Sequence, residues 1–502
     1  MRRLAAIAVW LGLAWMVRAH VGSPYVLFDG RAGAFPVRVS IREPDVVPGL
    51  AEITIRVLDG SPDRILVLPL DHNADREKAP RPDQAISTPG DPQLYSASLW
   101  FMRRGAYAVE VTLEGKGGGR VLVPVDSLAR RQEPMGPILS SILAVLAIFL
   151  VGGYISILAS AVSQSRLGPQ AKLKARLSWR AILGALVGSS IMGFLLWGGS
   201  KWWAADEAEH QQRVLFRPLS NSVSLENTNS NPNLVFKLTD RRAQDDWARL
   251  IPDHGKLIHL FLTAENVTSG HSPAFAHLHP RTTAKGQYAV AFPPLPAGNY
   301  RIYADLAHES GLTETVTNRL EITVPFVGNW SPSDSDDSFE PERALQPTVE
   351  VGDGLTIHLV ESPVVPGIPV ELKALVRDAQ GKPVPLQPFL RMLGHAVIER
   401  SDGAVFAHVH PAGTLSMAVA HQLAVAAEGE AGGKVADVIC GDLSAVPSEV
   451  AEALSRGGEV SFPYVFPQPG NYRIWIQVRV AGKIRTGAFQ WSISDGKSHD
   501  GH

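Results

Sequence analysis

Cysteine is almost absent from this chain of 502 residues. The single one, Cys440, excludes an intrachain disulfide framework and any metal site built from several thiolates. The formal net charge is −2, so no broad basic field points to nucleic acid as a partner. A nucleophile elbow, a phosphate-binding glycine loop and an HExxH helix are also missing, and we therefore expect no enzyme.

Charge is absent from two long apolar runs, residues 137–162 and 181–199. A bilayer is crossed by about 20 apolar residues in a helix, so both runs are predicted to be transmembrane helices. The segment between them, 163–180, carries five lysines and arginines and no acid. This asymmetry is typical of a cytoplasmic loop, and it predicts that the chain on either side of the two helices lies outside the cytoplasm.

The N-terminus has the pattern of a secretory signal peptide. Arg2 and Arg3 precede an uncharged apolar stretch, and Val17 and Ala19 are suited to the −3 and −1 positions of a cleavage site. We predict a signal peptide at 1–19 and a mature chain that begins with His20. The predicted location is a bacterial inner membrane, with N-terminal and C-terminal domains in the periplasm.

The exported parts alternate apolar and polar residues over short runs separated by glycine and proline, which predicts a mainly β protein. We expect three Ig-like β-sandwich domains plus two transmembrane helices. The first sandwich is predicted at 20–133, and the other two are named repeat A and repeat B. The remaining predicted boundaries are a stem at 200–235 that starts helical and continues as a loop at 220–233, repeat A at 236–326, an acidic linker at 327–346, repeat B at 347–494 and a disordered tail at 495–502.

Repeat A and repeat B share two phrases. Residues 296–303 read PAGNYRIY and residues 468–475 read QPGNYRIW, which is a turn that enters a strand. The six-residue phrase at 275–280, FAHLHP, returns at 406–411 as FAHVHP. These matches predict an internal duplication.

On these phrases the two repeats resemble small periplasmic Ig-like modules of the FixH/YtkA-like kind. The start of the mature chain, His20-Val21-Gly22, resembles that of uncharacterised bacterial two-span membrane proteins. The resemblance implies a setting of bacterial copper handling and respiratory oxidases. Fold analogy alone does not establish function.

The His-x-His phrases carry the chemistry, because alternate residues of a strand point to one face. In repeat A, His277 and His279 are joined by an upstream histidine, His259, and we name these three triad A. His254 and His308 are candidate additions to it. Imidazole clusters suit copper, zinc or nickel. The alternative is that these residues only shape a strand end.

Repeat B offers the corresponding set, His395, His408 and His410, named triad B. An Asp-Gly turn at 402–403 predicts a hairpin that makes His395 and the pair neighbours on antiparallel strands. Met392, Met417 and His421 lie near in sequence. Thioether ligands favour Cu(I), although core packing is the commoner role of methionine.

His20 is a third candidate. Its amino group and imidazole resemble the copper-chelating N-terminus of CopC-like periplasmic proteins, with His72 as the second histidine that such a site needs. The alternative is an exposed terminal residue without a role.

The sequence therefore predicts a membrane-anchored periplasmic metal-binding protein. Copper is the favoured ion and zinc the alternative. The expected role is metal handling or metallation of a respiratory enzyme, with a periplasmic partner or metal recipient. The competing hypothesis is a periplasmic interaction scaffold without metal, in which the histidines would lie apart or point singly into solvent.

Overall fold

The structure, a computed structural model, describes residues 24–72, 78–165, 179–228, 231–326, 328–431 and 455–495. Over these residues the protein is mainly β, with several sheets and two long apolar helices, which confirms the predicted fold class at that level. The predicted signal peptide, His20 and Cys440 lie outside the described residues, as do most of the loop at 163–180 and of the tail.

The first hydrophobic core lies between two antiparallel sheets, ordered β1-β2-β3-β7-β6 and β5-β4-β8-β9. Strand alternation builds it, since Val37, Val39 and Ile41 of one strand all point inward. The strands are β1 (Tyr25–Ala32), β2 (Phe35–Arg42), β3 (Gly49–Val57), β4 (Arg64–Asp71), β5 (Asp83–Gln84), β6 (Ile86–Thr88), β7 (Asp91–Phe101), β8 (Gly105–Glu114) and β9 (Gly119–Ser127).

Two helices follow, α1 (Pro137–Gln164) and α2 (Trp179–Val214), and both are long and apolar enough to cross a membrane. Helix α2 continues past the apolar run into the start of the stem, which was predicted to be helical, and bonds one turn apart such as Gln211 to Glu207 support this polar part. Gly184 and Gly188 lie against α1, and a Cβ on Gly184 would come within 3.0 Å of its backbone. Small residues at this spacing let two apolar helices approach closely.

Repeat A forms a second core between sheets ordered β10-β11-β16-β15 and β18-β17-β12-β14-β19. A small two-stranded sheet pairs β13 with β20. The strands are β10 (Asn221–Thr228), β11 (Asn231–Leu238), β12 (His259–Ala264), β13 (His271–Ser272), β14 (Phe275–Leu278), β15 (Arg281–Ala284), β16 (Gln287–Ala291), β17 (Gly298–Ala307), β18 (Thr313–Ile322), β19 (Ser338–Glu340) and β20 (Arg343–Ala344).

The predicted loop at 220–233 is wrong, because most of this stretch belongs to β10 and β11. The Asn/Ser-rich composition hides a half-apolar alternation in which Val223 and Leu225 pair with Phe236 and Leu234 and pack against the second core. The acidic linker is likewise not only a spacer, since its residues 338–340 add strand β19 to the edge of a sheet.

Repeat B forms a third core between sheets ordered β21-β22-β23-β26 and β25-β24-β27-β28. A helix, α3, lies between β25 and β26 in sequence. The elements are β21 (Thr348–Glu350), β22 (Thr356–Leu359), β23 (Pro369–Arg377), β24 (His395–Arg400), β25 (Phe406–Val409), α3 (Met417–Ala431), β26 (Glu459–Val465), β27 (Gly470–Val480) and β28 (Lys483–Ile493).

One sheet of repeat A lies against one sheet of repeat B, and the central strands are buried on both faces. In β12, Leu260 and Leu262 point into the core of repeat A, whereas Phe261 points to the facing sheet. The layer between the sheets is a six-residue apolar cluster, here called the interface cluster: Phe261, Phe275, Tyr303, Val397, Phe406 and Trp475. Its rings stack across the interface, Phe275 on Trp475 at 4.8 Å and Phe406 on Tyr303 at 3.9 Å between centroids.

Residues around the start of α3 connect repeat B with the first core. Thr414 accepts a hydrogen bond from the Leu27 amide at 2.9 Å, and the Ala412 carbonyl accepts one from Asp29 at the same distance. Asp253 of the loop before β12 accepts from the Ala418 amide at 3.0 Å, near the first turn of α3. The loops that flank both histidine triads are therefore held by several parts of the fold.

Candidate metal centre

The two triads occupy equivalent places in the two repeats. His259 opens β12 and His277 lies on the neighbouring β14, with His279 just beyond its end. Strands β24 and β25 pair antiparallel around the predicted Asp-Gly turn, so that His395 and His408 lie on adjacent strands. The side chains point to the same interface as Phe261 and Phe406, because they are an even number of residues away along their strands.

Within each triad the nitrogens lie close enough for one ion. One ligand nitrogen from each of His259, His277 and His279 falls within 4.8 Å of the others, and the same holds for triad B. His277 and His395 are fully buried and His410 is 4% exposed. The side chain of His408 is 6% exposed.

Hydrogen bonds to the outer nitrogens fix the tautomers of triad A. His259 Nε2 lies 3.2 Å from the Asp253 carbonyl, and His277 Nδ1 lies 2.8 Å from Gln477 Oε1. Asp337 Oδ1 accepts from His279 Nδ1 at 3.0 Å and from its amide at 2.8 Å. Since a neutral imidazole has one N–H, these acceptors place the proton outward and leave a lone pair on each inner nitrogen.

In triad B the first two histidines repeat the pattern, whereas His410 Nδ1 is buried without a hydrogen-bond partner among the described residues. His395 Nε2 lies 3.2 Å from the Phe389 carbonyl, and His408 Nδ1 lies 3.5 Å from Asp305 Oδ2. The inner nitrogens, His395 Nδ1 and His408 Nε2, are then 3.0 Å apart.

The corresponding pair in triad A, His259 Nδ1 and His277 Nε2, is separated by 3.2 Å. Two lone pairs facing each other at such a distance repel unless a cation lies between them. Two nitrogens that bind one ion at about 2.0–2.1 Å, with an angle at the metal between 90° and the tetrahedral value, lie about 2.8–3.4 Å apart. Both pairs fall within that range, and the inner nitrogen of His279 is buried without a hydrogen-bond partner among the described residues. The donor set therefore fits a metal ion in each triad.

Electrostatics keep these imidazoles neutral. Burial lowers the pKa of all six triad histidines, most strongly for His277, His279, His395 and His408, and neighbouring imidazoles lower the pKa of these four further. The pKa of His410 falls to about 3, first through burial and then through His254. Neutral imidazole is the form that binds metals.

His254 belongs between the triads rather than within triad A. It stands in the loop before β12, and its Nε2 lies 3.2 Å from His410 Nε2 of triad B. Its ring centroid is 5.4 Å from that of His395 and 6.0 Å from that of His259. Its pKa is also lowered well below the ordinary value, chiefly by burial. The structure thus gathers seven buried imidazoles, here called the heptad cluster: the two triads and His254.

Other predicted candidates lie apart from the heptad cluster. His308 is buried, but its Nε2 bonds with Glu314 at 3.0 Å and its ring packs against Trp247. Met392 and Met417 pack in the first hydrophobic core, so they follow the commoner role of methionine. His421 is exposed on α3.

Only one of the two histidines of the predicted N-terminal site, His72, belongs to the described residues. His20 lies outside the described residues. The ring of His72 packs so closely against Gly311 that a Cβ added to this glycine would lie within 3.0 Å of the ring. The pKa of His72 is lowered, mainly by burial.

Two of the residues that orient the imidazoles were not singled out from the sequence. Asp337 lies in the linker, where acidic composition indicated only a solvated spacer. Gln477 lies in β27, and its Nε2 donates to Ser338 at 2.8 Å, which turns its oxygen toward His277. Asp305 lies on β17 of repeat A, yet it faces His408 of triad B. Burial raises the pKa of Asp305 and of Asp337 to about 7.

A family model described as a domain of unknown function, DUF8832, matches residues 348–495, which comprise repeat B. No curated protein matches the chain.

Comparison with solved structures gives distant likenesses. Dimeric latent PorU from Porphyromonas gingivalis is 9% identical at a TM-score of 0.14, with 89% of this chain and 32% of that chain covered. A bacterial ice-binding adhesin is 8% identical at 0.15, with 94% and 98% covered. The E. coli alpha-2-macroglobulin is 10% identical at 0.20, with 94% and 23% covered. This chain thus spans about a third of the PorU chain, and at such TM-scores the likenesses carry no argument about function.

Proposed function

We propose that this protein is a membrane-anchored, exported metal-binding protein whose two histidine triads hold copper. The observation that carries the proposal is the facing pair of inner nitrogens in each triad, 3.2 and 3.0 Å apart. Of their four outer nitrogens, three lie within hydrogen-bond distance of an oxygen acceptor, and His408 Nδ1 lies 3.5 Å from Asp305 Oδ2. Imidazole nitrogens alone suit copper and zinc, and the absence of a thiolate in the donor set leaves both ions as candidates.

The proposed setting follows from the sequence. A signal peptide at 1–19, helices α1 and α2 in the inner membrane and a cytoplasmic loop at 163–180 would leave the first core and both repeats in the periplasm. The three cores are proposed to be Ig-like β-sandwiches. The role would be metal handling or metallation of a respiratory enzyme, with a periplasmic recipient.

Deep burial constrains this role. Four of the six triad histidines are no more than 2% exposed, so an ion could leave only if the facing sheets part or the loops around His254 and His410 open. We therefore propose slow exchange, with release coupled to a partner that opens this interface.

A metal-free interaction scaffold would need sheet faces that are exposed to bind partner proteins. Its histidines would lie apart from one another or point singly into solvent. In this chain the two sheet faces that carry the histidines cover each other through the interface cluster, and the imidazoles lie together. The geometry therefore supports the metal-binding proposal over the scaffold.

The test is a titration of the full chain in detergent with Cu(I), Cu(II) and Zn(II), compared with the double variant His277→Ala plus His408→Ala. We expect tight stoichiometric binding that the double variant loses. The matched control is His358→Ala plus His421→Ala, two histidines outside the heptad cluster. Binding that is absent from the unaltered chain, or equal in the double variant, would refute the proposal.

A further inference from the structure

The two triads are not separate sites, because each repeat orients a ligand of the other. Asp305 on β17 and Gln477 on β27 occupy equivalent positions, each directly opposite the first histidine of its own repeat in strand register. Their side chains nevertheless reach across the interface. Gln477 of repeat B accepts from His277 of triad A, and Asp305 of repeat A faces His408 of triad B.

The rings of the two triads are also in direct contact. The centroid of His408 lies 5.1 Å from that of His259 and 5.6 Å from that of His277. His254 extends from repeat A to His410 and so brings a third contact across the interface. Ions held in the two triads would therefore be close neighbours within one buried space.

The loop that carries His254 shows which part of this arrangement the fold requires. The backbone of Asp253 pairs with that of Lys256 in repeat A, and the backbone of Phe389 pairs with that of Met392 in repeat B. The carbonyl groups of Asp253 and Phe389 each lie 3.2 Å from a triad histidine, His259 and His395 respectively. The residue after each of them has a left-handed backbone, His254 with φ 51° and Leu390 with φ 49°. The same backbone thus accepts leucine in repeat B, and the imidazole in repeat A is an additional donor that the loop itself does not need.

Resting on the proposed function, we propose that the heptad cluster is one centre for two metal ions, shared between repeat A and repeat B. Each repeat supplies three ligands to its own ion and an orienting acceptor to the other, and His254 serves triad B from repeat A. Two bound ions hold the repeats together, because releasing either repeat removes the acceptor that positions a ligand in the other.

The experiment uses the full chain with one triad disabled at a time. His408→Ala leaves a chain with only triad A, and His277→Ala leaves only triad B. The affinity for Cu(II) and Zn(II) is measured in each background with Gln477→Ala or Asp305→Ala added.

We expect Gln477→Ala to weaken triad A about 10–100-fold although it lies in the other repeat, as loss of an orienting partner does. Asp305→Ala should do the same to triad B. Each variant is also the control for the other: Asp305→Ala in the triad A background has no His408 to orient and should leave the affinity unchanged.

His254→Leu gives repeat A the side chain that repeat B carries at the equivalent position, so it preserves the loop. We expect it to weaken triad B and to leave triad A within about threefold. In the unaltered chain, titration should reach two ions, and the electron paramagnetic resonance signal of Cu(II) should show interaction between the ions at full loading.

Two ions that bind with affinities indifferent to Gln477→Ala and Asp305→Ala would overturn the shared centre and leave the proposed function standing. Saturation at one ion would also overturn it. Absence of any binding would instead refute the proposed function itself. Circular dichroism of each metal-free variant identifies a general folding defect. In each background the other variant is the control, Asp305→Ala for triad A and Gln477→Ala for triad B, and an equal loss of affinity in both variants indicates such a defect rather than the loss of an orienting partner.

Discussion

Acid should loosen the interface between repeat A and repeat B in the metal-free protein. All seven imidazoles of the heptad cluster have a pKa lowered by burial, whereas the unfolded chain binds protons at the ordinary histidine pKa of 6.5. Above that pH the rings are neutral in both states. Below it the unfolded chain takes up more protons, so stability is lost as the pH falls.

Two carboxyl groups oppose this effect. The pKa of Asp305 and of Asp337 is raised to about 7, mainly by burial, so between pH 7 and their ordinary pKa of 3.8 the folded state binds more protons than the unfolded chain. Near pH 5 the unfolded chain therefore binds up to seven more protons on the imidazoles, and the folded state binds up to two more on the carboxyls. Each net proton changes the free energy of unfolding by about 1.4 kcal/mol per pH unit, so the slope reaches at most about 7 kcal/mol per pH unit.

The free energy of unfolding lost over one to two pH units at that slope is comparable with the whole stability of a domain, about 5–15 kcal/mol. The interface should therefore open within one to two pH units below 6.5. Hydrogen exchange of peptides covering β12 and β24, corrected for intrinsic rates, reports this opening directly. The matched variant His277→Gln plus His408→Gln removes two titrating groups and should reduce the slope by about 2.7 kcal/mol per pH unit. Protection of both strands that stays constant between pH 6.5 and 5 would refute the reasoning.

Three further predictions concern parts of the fold beside the heptad cluster. Trp475→Ala removes a fully buried ring from the interface cluster and should cost about 3–5 kcal/mol, measured by denaturant unfolding, with exposed Trp203→Ala near neutral as control. Glu399→Gln weakens a buried network in which Arg301 and Tyr303 donate to the carboxylate at 2.9 Å, so thermal unfolding should occur at lower temperature, while copper affinity stays unchanged. After replacement of the native cysteine, a cysteine introduced at exposed Ser224 should react with a membrane-impermeant reagent added to intact spheroplasts, and one in the loop at 163–180 should not; equal labelling of both would contradict the topology.

The sequence predicts the members of each triad because strand alternation is local. His-x-His places two side chains on one face, and the Asp-Gly turn sets His395 beside His408. It also predicts the two apolar helices, since a run without charge is visible without any tertiary information. The apolar run marks only part of α2, which continues to Val214 through the start of the predicted stem because polar pairs one turn apart stabilise it.

The meeting of the two triads was not predictable in the same way. It depends on which sheet faces cover each other, and a strand such as β12, buried on both faces, reads only as a continuous apolar run. The role of Gln477 depends on a partner 200 residues away, and no local pattern marks it. Asp337 was hidden in an acidic segment whose composition indicates solvation, although its position beside β19 brings it to His279. The internal duplication relates these contacts, because Asp305 of repeat A and Gln477 of repeat B occupy equivalent positions and each faces a histidine of the other repeat.

The most direct test of the central claim is X-ray absorption spectroscopy of the copper-loaded full chain. Copper held by the two triads should have a first coordination shell that contains imidazole nitrogen at about 2.0–2.1 Å and no sulfur. This shell should be lost in His277→Ala plus His408→Ala. A shell with sulfur from methionine, or one that is unchanged in the double variant, would show that copper binds outside the two triads.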